Sequence, residues 1–216
     1  GKGGFGSVYA VEPSLPSLSS AGAVAVKKLD AVGEVTMQDL RREIALLTSI
    51  QHKHMLGLVG YSLEPGALAL VFPLMVGGNL EDRLIYTAMG ASRLRLLGFT
   101  SHPLPLTWPQ RLRIVCEVAQ ALIYLHTPIP GGKSRVLHRD VKPSNILLDA
   151  SLNAKLADTG MAKAAEGHQA AASHMSTLNV TGTPGFLDPL VVNAGQHSEL
   201  TDGFALGVTL LMVLTA

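Results

Sequence analysis

The sequence predicts an α+β fold, in which a small sheet of about five strands with one helix precedes a mainly helical part. Three observations support this prediction. Short apolar runs, some with period-two alternation, fill residues 1–75 around one amphipathic segment. Apolar residues at helical spacing mark a helix over residues 107–126, and a further apolar run at 206–216 marks another. A stretch at residues 136–145 places charged and amide side chains among apolar ones, as a functional site does and a structural strand does not.

The composition is that of a nearly neutral and rather apolar chain. Its 216 residues are 47% apolar and 15% charged, with a formal net charge of +1. Such a chain can bury a substantial core in one or two compact domains, and no strong field favours nucleic acid or an anionic membrane as a partner. The single cysteine, Cys116, excludes an intramolecular disulfide and a cysteine-based metal cluster, and we expect it to pack as a small apolar residue.

The two ends of the chain suggest a portion of a longer protein. Residues 1–6 open directly into a glycine-rich motif with no signal-peptide pattern. At the other end, the apolar run 206–216 is shorter than the roughly 20 residues that cross a bilayer. We therefore predict a buried helix there and no membrane insertion by this segment.

The glycine-rich segment at residues 1–9 has glycines at relative positions one, three and six, which lets backbone amides approach phosphates. A Rossmann motif would need a helix next, whereas residues 7–11 continue as a strand. A Walker-type loop would need Gly-Lys-Ser or Gly-Lys-Thr at its end, and this is absent. A glycine-rich hairpin remains as the interpretation.

A lysine and a glutamate in the next two elements are candidates for an ion pair. In the strand predicted at residues 23–29, Ala25 and Lys27 share one face. In the helix predicted at residues 36–50, Glu43 lies on an inward apolar stripe, where a carboxylate needs a cation. Lys27 is the candidate partner. The alternatives, a solvated edge lysine and a tolerated rim glutamate, remain open at this point.

The intervening segments complete the predicted element order. Residues 55–62 and 67–72 predict two further strands separated by a turn at 64–66. Residues 86–106 show no sustained period and predict a loop. Thr107 and Gln110 form a capping-box signature for a helix that ends near His126.

The polar stretch at residues 136–145 carries groups suited to moving a proton and a phosphate. Asp140 can accept a hydroxyl proton, Lys142 can neutralise a migrating negative charge, and Asn145 can hold a divalent cation through its amide oxygen. Short strands at 146–149 and 154–157 predict a hairpin that brings Asp158 close to Asn145. These oxygens suit magnesium, which binds one or two carboxylates together with phosphates and water. A plain polar turn before a hairpin is the alternative.

These motifs, in this order, resemble the protein kinase family and most closely its receptor-like and Pelle-like Ser/Thr group. The match covers H-R-D-x-K-x-x-N at 138–145, the glycine loop, Lys27 with Glu43, and the segment 173–189. The resemblance implies two lobes, residues 1–75 with a small antiparallel sheet and residues 76–216, mainly helical and incomplete at the C-terminal end. It also implies ATP and Mg²⁺ as cofactors, and a site formed by the following residues. Asp140 would be the base, Lys142 the charge stabiliser, Lys27 and Glu43 the phosphate positioners, and Asn145 and Asp158 the metal ligands. The ATP-binding residues would be Gly1, Gly3, Gly4, Phe5, Gly6, Val8, Ala25, Lys27, Phe72, Pro73, Met75 and Leu147.

The resemblance also implies the partners and the regulation. It predicts a protein substrate held near Thr183, activation-segment phosphosites that pair with Arg139, and self-phosphorylation in trans. It also predicts that Asp202 bonds to the backbone of the catalytic loop. The phosphosites would be Ser176, Thr177 and Thr181. We expect no nucleic-acid partner. We also expect a cytoplasmic location, either as a free protein or as the intracellular part of a membrane-anchored receptor.

Two positions depart from the family pattern. Thr159 replaces the phenylalanine after Asp158, and Leu190 replaces a glutamate that anchors the activation segment. Both departures motivate an alternative function, that of a pseudokinase or weakly active ATP-binding scaffold. A third function, a small-molecule kinase, is disfavoured by the peptide-binding type of segment at residues 182–189.

Overall fold

The structure is a computed structural model that describes residues 2–3, 6–11, 22–29, 37–64, 66–164, 175–176 and 182–216. Five of the predicted site residues, Gly1, Gly4, Phe5, Thr177 and Thr181, lie outside the described residues.

A five-stranded antiparallel sheet forms the N-terminal part of the fold. Its strands are β1 (Lys2–Gly3), β2 (Gly6–Val11), β3 (Val24–Lys28), β4 (Gly60–Ser62) and β5 (Ala69–Pro73), and their spatial order is β1-β2-β3-β5-β4. The predicted small sheet is confirmed. The strand predicted over residues 55–62 is wrong in its first half, because Leu56 and His54 hydrogen-bond to Leu156 in the C-terminal part instead of to the sheet.

One helix, α1 (Met37–Ser49), packs against this sheet. Leu40, Ile44 and Leu47 recur at helical spacing and are buried, as the sequence predicts. They form a cluster with Leu29 and Leu70 of the sheet side. Burying a leucine side chain contributes about 1.5–3 kcal/mol, so this stripe fixes the helix on the sheet.

The C-terminal part is mainly helical, with four short strand pairings. The helices are α2 (Leu80–Leu84), α3 (Ala88–Leu96), α4 (Trp108–His126), α5 (Pro189–Ala194) and α6 (Glu199–Thr215). The strands are β6 (Gly78–Asn79), β7 (Val136–Leu137), β8 (Ile146–Leu148), β9 (Ala154–Leu156), β10 (Lys163–Ala164), β11 (Met175–Ser176) and β12 (Gln196–His197). They pair as β6-β8-β9, β7-β10 and β11-β12.

Helix α4 is the centre of the larger core. Its fully buried side chains Ile114, Val118 and Leu125 pack with Ile146 and Leu156 of the β8–β9 hairpin. The predicted capping box is confirmed, because the backbone N–H of Thr107 donates to Gln110 Oε1 at 2.8 Å. The prediction that Cys116 is buried is wrong. Cys116 lies two positions from Ile114 and Val118 on the helix, which turns it to the opposite, exposed face.

Helix α3 corrects the prediction of a loop over residues 86–106. Thr87 caps the helix by accepting from Gly90 N at 2.9 Å, and Arg93 Nε donates to the buried carboxylate of Asp82 at 2.7 Å. Only one large apolar side chain of the helix, Leu94, is buried. A single buried residue leaves no apolar period in the sequence, and this is why the helix was not predicted.

Helix α6 corrects the prediction of a buried helix over residues 206–216. Thr209 and Val213 are fully buried against the core, but Leu211 is 60% exposed and Leu214 is 44% exposed. The helix therefore packs along one face only, within the part of the chain that the structure describes. Among the helices of those residues, none combines the length and the apolar character needed to cross a bilayer.

Candidate active site

Asp140 lies at the centre of a buried polar network that follows β7. Its side chain is 3% exposed. Lys142 Nζ donates to Asp140 Oδ2 at 2.7 Å, and Asn145 Nδ2 donates to the same oxygen at 2.9 Å. Thr183 Oγ1 donates to Asp140 Oδ1 at 2.6 Å and accepts from Lys142 Nζ at 2.6 Å. The structure therefore brings together three predicted residues of the polar stretch with Thr183, which lies 43 residues from Asp140 in the sequence.

This network sets the protonation of Asp140. Burial by itself would raise the pKa of the carboxyl group. The hydrogen bonds from Lys142, Thr183 and Asn145, together with the charge of Lys142, outweigh burial and lower the pKa of Asp140 below its ordinary value. Asp140 is therefore ionised at neutral pH and can act as a proton acceptor.

The loop that carries Asp140 is held from below by Asp202 of α6. The side chain of Asp202 is 1% exposed, and its two oxygens accept from His138 N and Arg139 N, each at 2.8 Å. The predicted bond between Asp202 and the loop backbone is confirmed. His126 Nε2 also lies 2.8 Å from Asp202 Oδ2. The sequence analysis missed this contact, because a histidine in the last turn of a helix is also explained by the helix dipole.

His138 connects this loop to the chain that leads into Asp158. Its ring is fully buried, and its Nε2 lies 3.1 Å from the carbonyl oxygen of Ala157. Burial lowers the pKa of His138, so the ring is neutral and donates this hydrogen bond. The backbone N–H of Ala157 also donates to the carbonyl of Asn145 at 2.9 Å. Asn145 and Asp158, the two predicted metal ligands, are thus carried by hydrogen-bonded neighbouring segments.

Lys27 and Asp158 form the ion pair that crosses between β3 and the C-terminal part. Lys27 Nζ lies 3.2 Å from Asp158 Oδ1. Burial raises the pKa of Glu43, and the positive charge of Lys27 offsets part of this rise by electrostatic attraction. The predicted role of Glu43 as the phosphate-positioning partner of Lys27 stays a prediction.

The residue after Asp158 is buried without a partner for its hydroxyl group. Asp158 has a left-handed backbone, with φ of 62°, and starts a 3-10 turn at Thr159–Met161. The side chain of Thr159 is 4% exposed, and its Oγ1 makes no hydrogen bond with the described residues. A buried donor that loses water without gaining a partner destabilises a fold.

Replacing Thr159 with valine is therefore expected to stabilise the protein by about 1–3 kcal/mol, because valine keeps the shape and removes the unpaired hydroxyl. The measurement is the midpoint of the thermal unfolding transition that contains this region. Thr209→Val is the matched control, since Thr209 is equally buried but donates to Ala205 O at 2.9 Å. A gain at Thr209 equal to that at Thr159, or no gain at Thr159, would contradict the argument.

An apolar cluster lines the space between the sheet and the C-terminal part. Its buried members are Leu56, Met75 and Ala157, and Phe72 and Leu147 pack against it. The cluster contains three of the predicted ATP-binding residues, Phe72, Met75 and Leu147. It therefore supplies apolar side chains of the kind that line the binding sites of aromatic rings.

The other predicted ATP-binding residues that the structure describes lie on the sheet beside this cluster. Ala25 pairs with Phe72 across β3 and β5, and Val8 pairs with Lys27 across β2 and β3. Pro73 ends β5, and Gly3 pairs with Gly6 across the β1–β2 hairpin. Val8 is partly exposed, as a residue that covers a bound ring would be.

The donor set is compatible with a hard divalent cation. Asn145 Nδ2 donates to both Asp140 O and Asp140 Oδ2, which assigns its amide oxygen as the atom free to face a cation. With Asp158 this gives two oxygen donors, as magnesium uses when phosphates and water complete its shell. Among the described residues, no group of three His, Cys, Asp or Glu side chains could form an all-protein metal site.

The segment between β10 and α5 is described only in part. Ser176 lies in β11, paired with Gln196 of β12. Leu190, at the position of the second departure, lies in the first turn of α5 and is half exposed. Asp188 caps this helix by accepting from Leu190 N at 2.7 Å.

Comparisons with known proteins agree with this geometry. The family model described as "Protein kinase domain" matches residues 1–216. The chain is 41% identical over 215 residues to a "Nodulation receptor kinase" of Pisum sativum, covering 100% of this chain and 21% of that protein. It is 38% identical over 215 residues to a "Probable LRR receptor-like serine/threonine-protein kinase" of Arabidopsis thaliana, covering 100% of this chain and 22% of the relative. It is 37% identical over 214 residues to "Receptor-like protein kinase THESEUS 1" of Arabidopsis thaliana, covering 99% of this chain and 22% of the relative. The chain thus spans about a fifth of the length of these relatives.

Proposed function

Because the chain belongs to the protein kinase family, we propose that it transfers the γ-phosphoryl group of ATP to a serine or threonine hydroxyl of a protein, in signalling. The observation that carries this proposal is the network of Asp140, Lys142, Asn145 and Thr183. It supplies an ionised carboxylate, a cation and a hydroxyl group within hydrogen-bond distance of one another.

In the proposed reaction, the carboxylate of Asp140 orients the substrate hydroxyl group and accepts its proton. Lys142 neutralises the negative charge that develops on the phosphoryl oxygens. Thr183 holds the two groups at fixed separation, because its Oγ1 bonds to both of them. Lys27 and Glu43 would position the α- and β-phosphates, and the apolar cluster around Met75 and Leu147 would hold the adenine ring.

Asn145 and Asp158 are the residues that would hold magnesium, which would offset the negative charge of the phosphates when bound. The role of Lys27 follows from its position. In the structure it pairs with Asp158, so this ion pair must give way or be shared when phosphates and the metal ion enter. The loop bonds to Asp202 keep Asp140 in place during this exchange.

We further infer a protein substrate that approaches Thr183, and regulation by phosphate on Ser176, Thr177 or Thr181, including transfer between two copies in trans. The printed names of the relatives favour a receptor-like protein whose kinase part works on the cytoplasmic side, where ATP is available. Residues 1–75 and 76–216 would be its two lobes. Neither nucleic acid nor membrane insertion by this segment has a place in this proposal.

The test is phosphate transfer by the full-length protein from labelled ATP with magnesium to serine, threonine and tyrosine peptides and to small alcohols. We expect label on serine and threonine peptides, with loss of transfer on chelation of the metal. Adding a tagged Asp140→Asn copy to the active protein tests transfer in trans, with sites mapped by mass spectrometry. Nucleotide binding without transfer to any acceptor would favour a scaffold, and labelling of alcohols alone would favour a small-molecule kinase.

The hydroxyl group of Thr183 gives a sharper test of the network. Thr183→Val removes the bonds to Asp140 and Lys142 and is expected to lower kcat about 10- to 100-fold, the effect of losing one or two charge-assisted hydrogen bonds. Thr183→Ser keeps the hydroxyl group and should stay within about threefold of the wild type. Both are measured by steady-state peptide phosphorylation. Equal activity of the two variants would remove Thr183 from the site.

A further inference from the structure

His197 is a buried histidine that the proposed reaction does not use. It lies in β12, its side chain is 1% exposed, and its Nε2 is 3.4 Å from a terminal guanidinium nitrogen of Arg139. Arg139 immediately precedes Asp140. Nε of Arg139 is buried and has no hydrogen-bond partner among the described residues. The hydrogen bond that the structure describes for this side chain is the one between its terminal nitrogen and His197.

The backbone of Arg139 is held in an unusual conformation. Its φ is 70°, in the left-handed region that residues with a side chain seldom adopt, and its N–H bonds to Asp202 Oδ1. Such a conformation persists only when surrounding contacts determine it. Asp202 fixes the backbone side of this residue, and His197 contacts the other end of the same side chain.

The direction of the hydrogen bond follows from chemistry. A guanidinium group has donors only, so Nε2 of His197 must accept, which requires an unprotonated Nε2 and a neutral ring with its proton on Nδ1. Burial and the charges of Arg139 and Lys163, opposed by the charge of Asp202, together lower the pKa of His197 to about 4. Asp188 lines a small cavity together with Arg139 and His197.

His197 also touches the segment that carries the predicted phosphosites. In the β11–β12 pair, Met175 lies opposite His197 and Ser176 lies opposite Gln196. The backbone of β12 therefore binds the activation segment, while the side chain of His197 reaches the loop of Asp140. A histidine that only filled space would not need an acceptor atom facing a cation.

We propose that His197 is a positioning residue, whose neutral imidazole accepts a hydrogen bond from Arg139 and so joins the β11–β12 strand pair to the loop that carries Asp140. This inference rests on the proposed function, since the loop matters because Asp140 is its base. His197 acts through Arg139 and does not touch the substrate.

Two variants of the full-length protein test this role. His197→Leu keeps the apolar volume and removes the acceptor, whereas His197→Gln places an amide oxygen near the former position of Nε2. We expect His197→Leu to lower kcat for peptide phosphorylation about tenfold, the loss of one hydrogen bond to a charged group, with KM for ATP unchanged. His197→Gln is expected to restore kcat to within about threefold of the wild type. His102→Leu, at an exposed histidine, is the matched control.

A spectroscopic readout separates this proposal from the proposed function. In nitrogen NMR of histidine-labelled protein, the His197 signal is identified by its loss in His197→Leu, and we expect an unprotonated Nε2 at neutral pH. A protonated Nε2 would overturn the contact whether or not the protein transfers phosphate. An inactive wild type with an unprotonated Nε2 would overturn the proposed function and with it the catalytic part of this role. Equal kcat for the Leu and Gln variants, high or low, would reduce His197 to a space-filling residue.

Discussion

Asp140→Asn is expected to lower kcat for phosphate transfer about 10²- to 10⁴-fold, the range that a general base contributes. Asparagine keeps the shape of the carboxyl group but has one acceptor oxygen and no negative charge. Lys142 and Thr183 would then lose the ionised partner that holds them at 2.7 and 2.6 Å. Because Asp140 is not among the proposed ATP-binding residues, the dissociation constant of ATP should change little. Steady-state kinetics and a nucleotide-binding titration measure the two quantities separately.

Glu81→Gln is the matched control for Asp140→Asn. It makes the same carboxylate-to-amide change in the first turn of α2, at a residue that supplies none of the hydrogen bonds of the network, and should leave kcat unchanged. Retention of transfer by Asp140→Asn would remove Asp140 from the role of base.

The pH dependence of unfolding adds an independent readout for Asp140. The lowered pKa of Asp140 means that its contribution to the free energy of unfolding is present above the ordinary value of 3.8 and is lost as the pH falls below it. In Asp140→Asn, this part of the acid destabilisation is expected to be absent. An identical acid limb in both proteins would show that the network does not depress the pKa.

Asp202→Asn is expected to destabilise the protein by about 3–5 kcal/mol, as the removal of one partner from a buried charged network does. The two carboxylate oxygens of Asp202 accept from His138 N, Arg139 N and the ring of His126. An amide has only one acceptor oxygen, so its NH₂ group would face a backbone N–H or the histidine ring. The lost bonds release the loop of Asp140, and kcat should fall as well.

Thermal unfolding monitored by calorimetry measures this change, with Glu199→Gln as the control on the same helix. Glu199 pairs with Arg135 at 2.9 Å near the surface, where an ion pair contributes less than about 1 kcal/mol. Losses of stability of similar size at the two positions would show that Asp202 contributes no more to the free energy of unfolding than a surface ion pair does.

The part of the site that lies in one continuous stretch could be predicted from the sequence. Asp140, Lys142 and Asn145 fall within six residues, and their spacing places them in one loop. The inward stripe of α1 was also predictable, because Leu40, Ile44 and Leu47 repeat at the helical period. The bond from Asp202 to the loop was expected from the family resemblance and is confirmed.

The contacts made by distant residues could not be predicted in the same way. The ion pair of Lys27 with Asp158 joins residues 131 positions apart, and local patterns do not show that the carboxylate of Asp158 reaches Lys27. Helix α3 was missed because tertiary contacts of Asp82 and Leu94 stabilise it and the local pattern does not show them. The exposed side of Cys116 follows instead from its place on α4, opposite the buried Ile114 and Val118. The acceptor role of His197 appears only when Arg139 is placed beside it.

Residues 54–56, which follow helix α1, are bound to Leu156 and can serve as a pivot for the helix. The carbonyl of His54 and the N–H of Leu56 bind Leu156 at 2.8 and 2.9 Å, so the connection after α1 is anchored to the C-terminal part, although the helix packs on the sheet. Glu43 lies six residues before Ser49, the end of α1, a lever arm of about 9 Å at 1.5 Å per residue. A tilt of about 10° around this pivot would displace Glu43 by about 1.5 Å. Small rotations of this helix can therefore change the distance between Glu43 and Lys27 while residues 54–56 stay bound to Leu156.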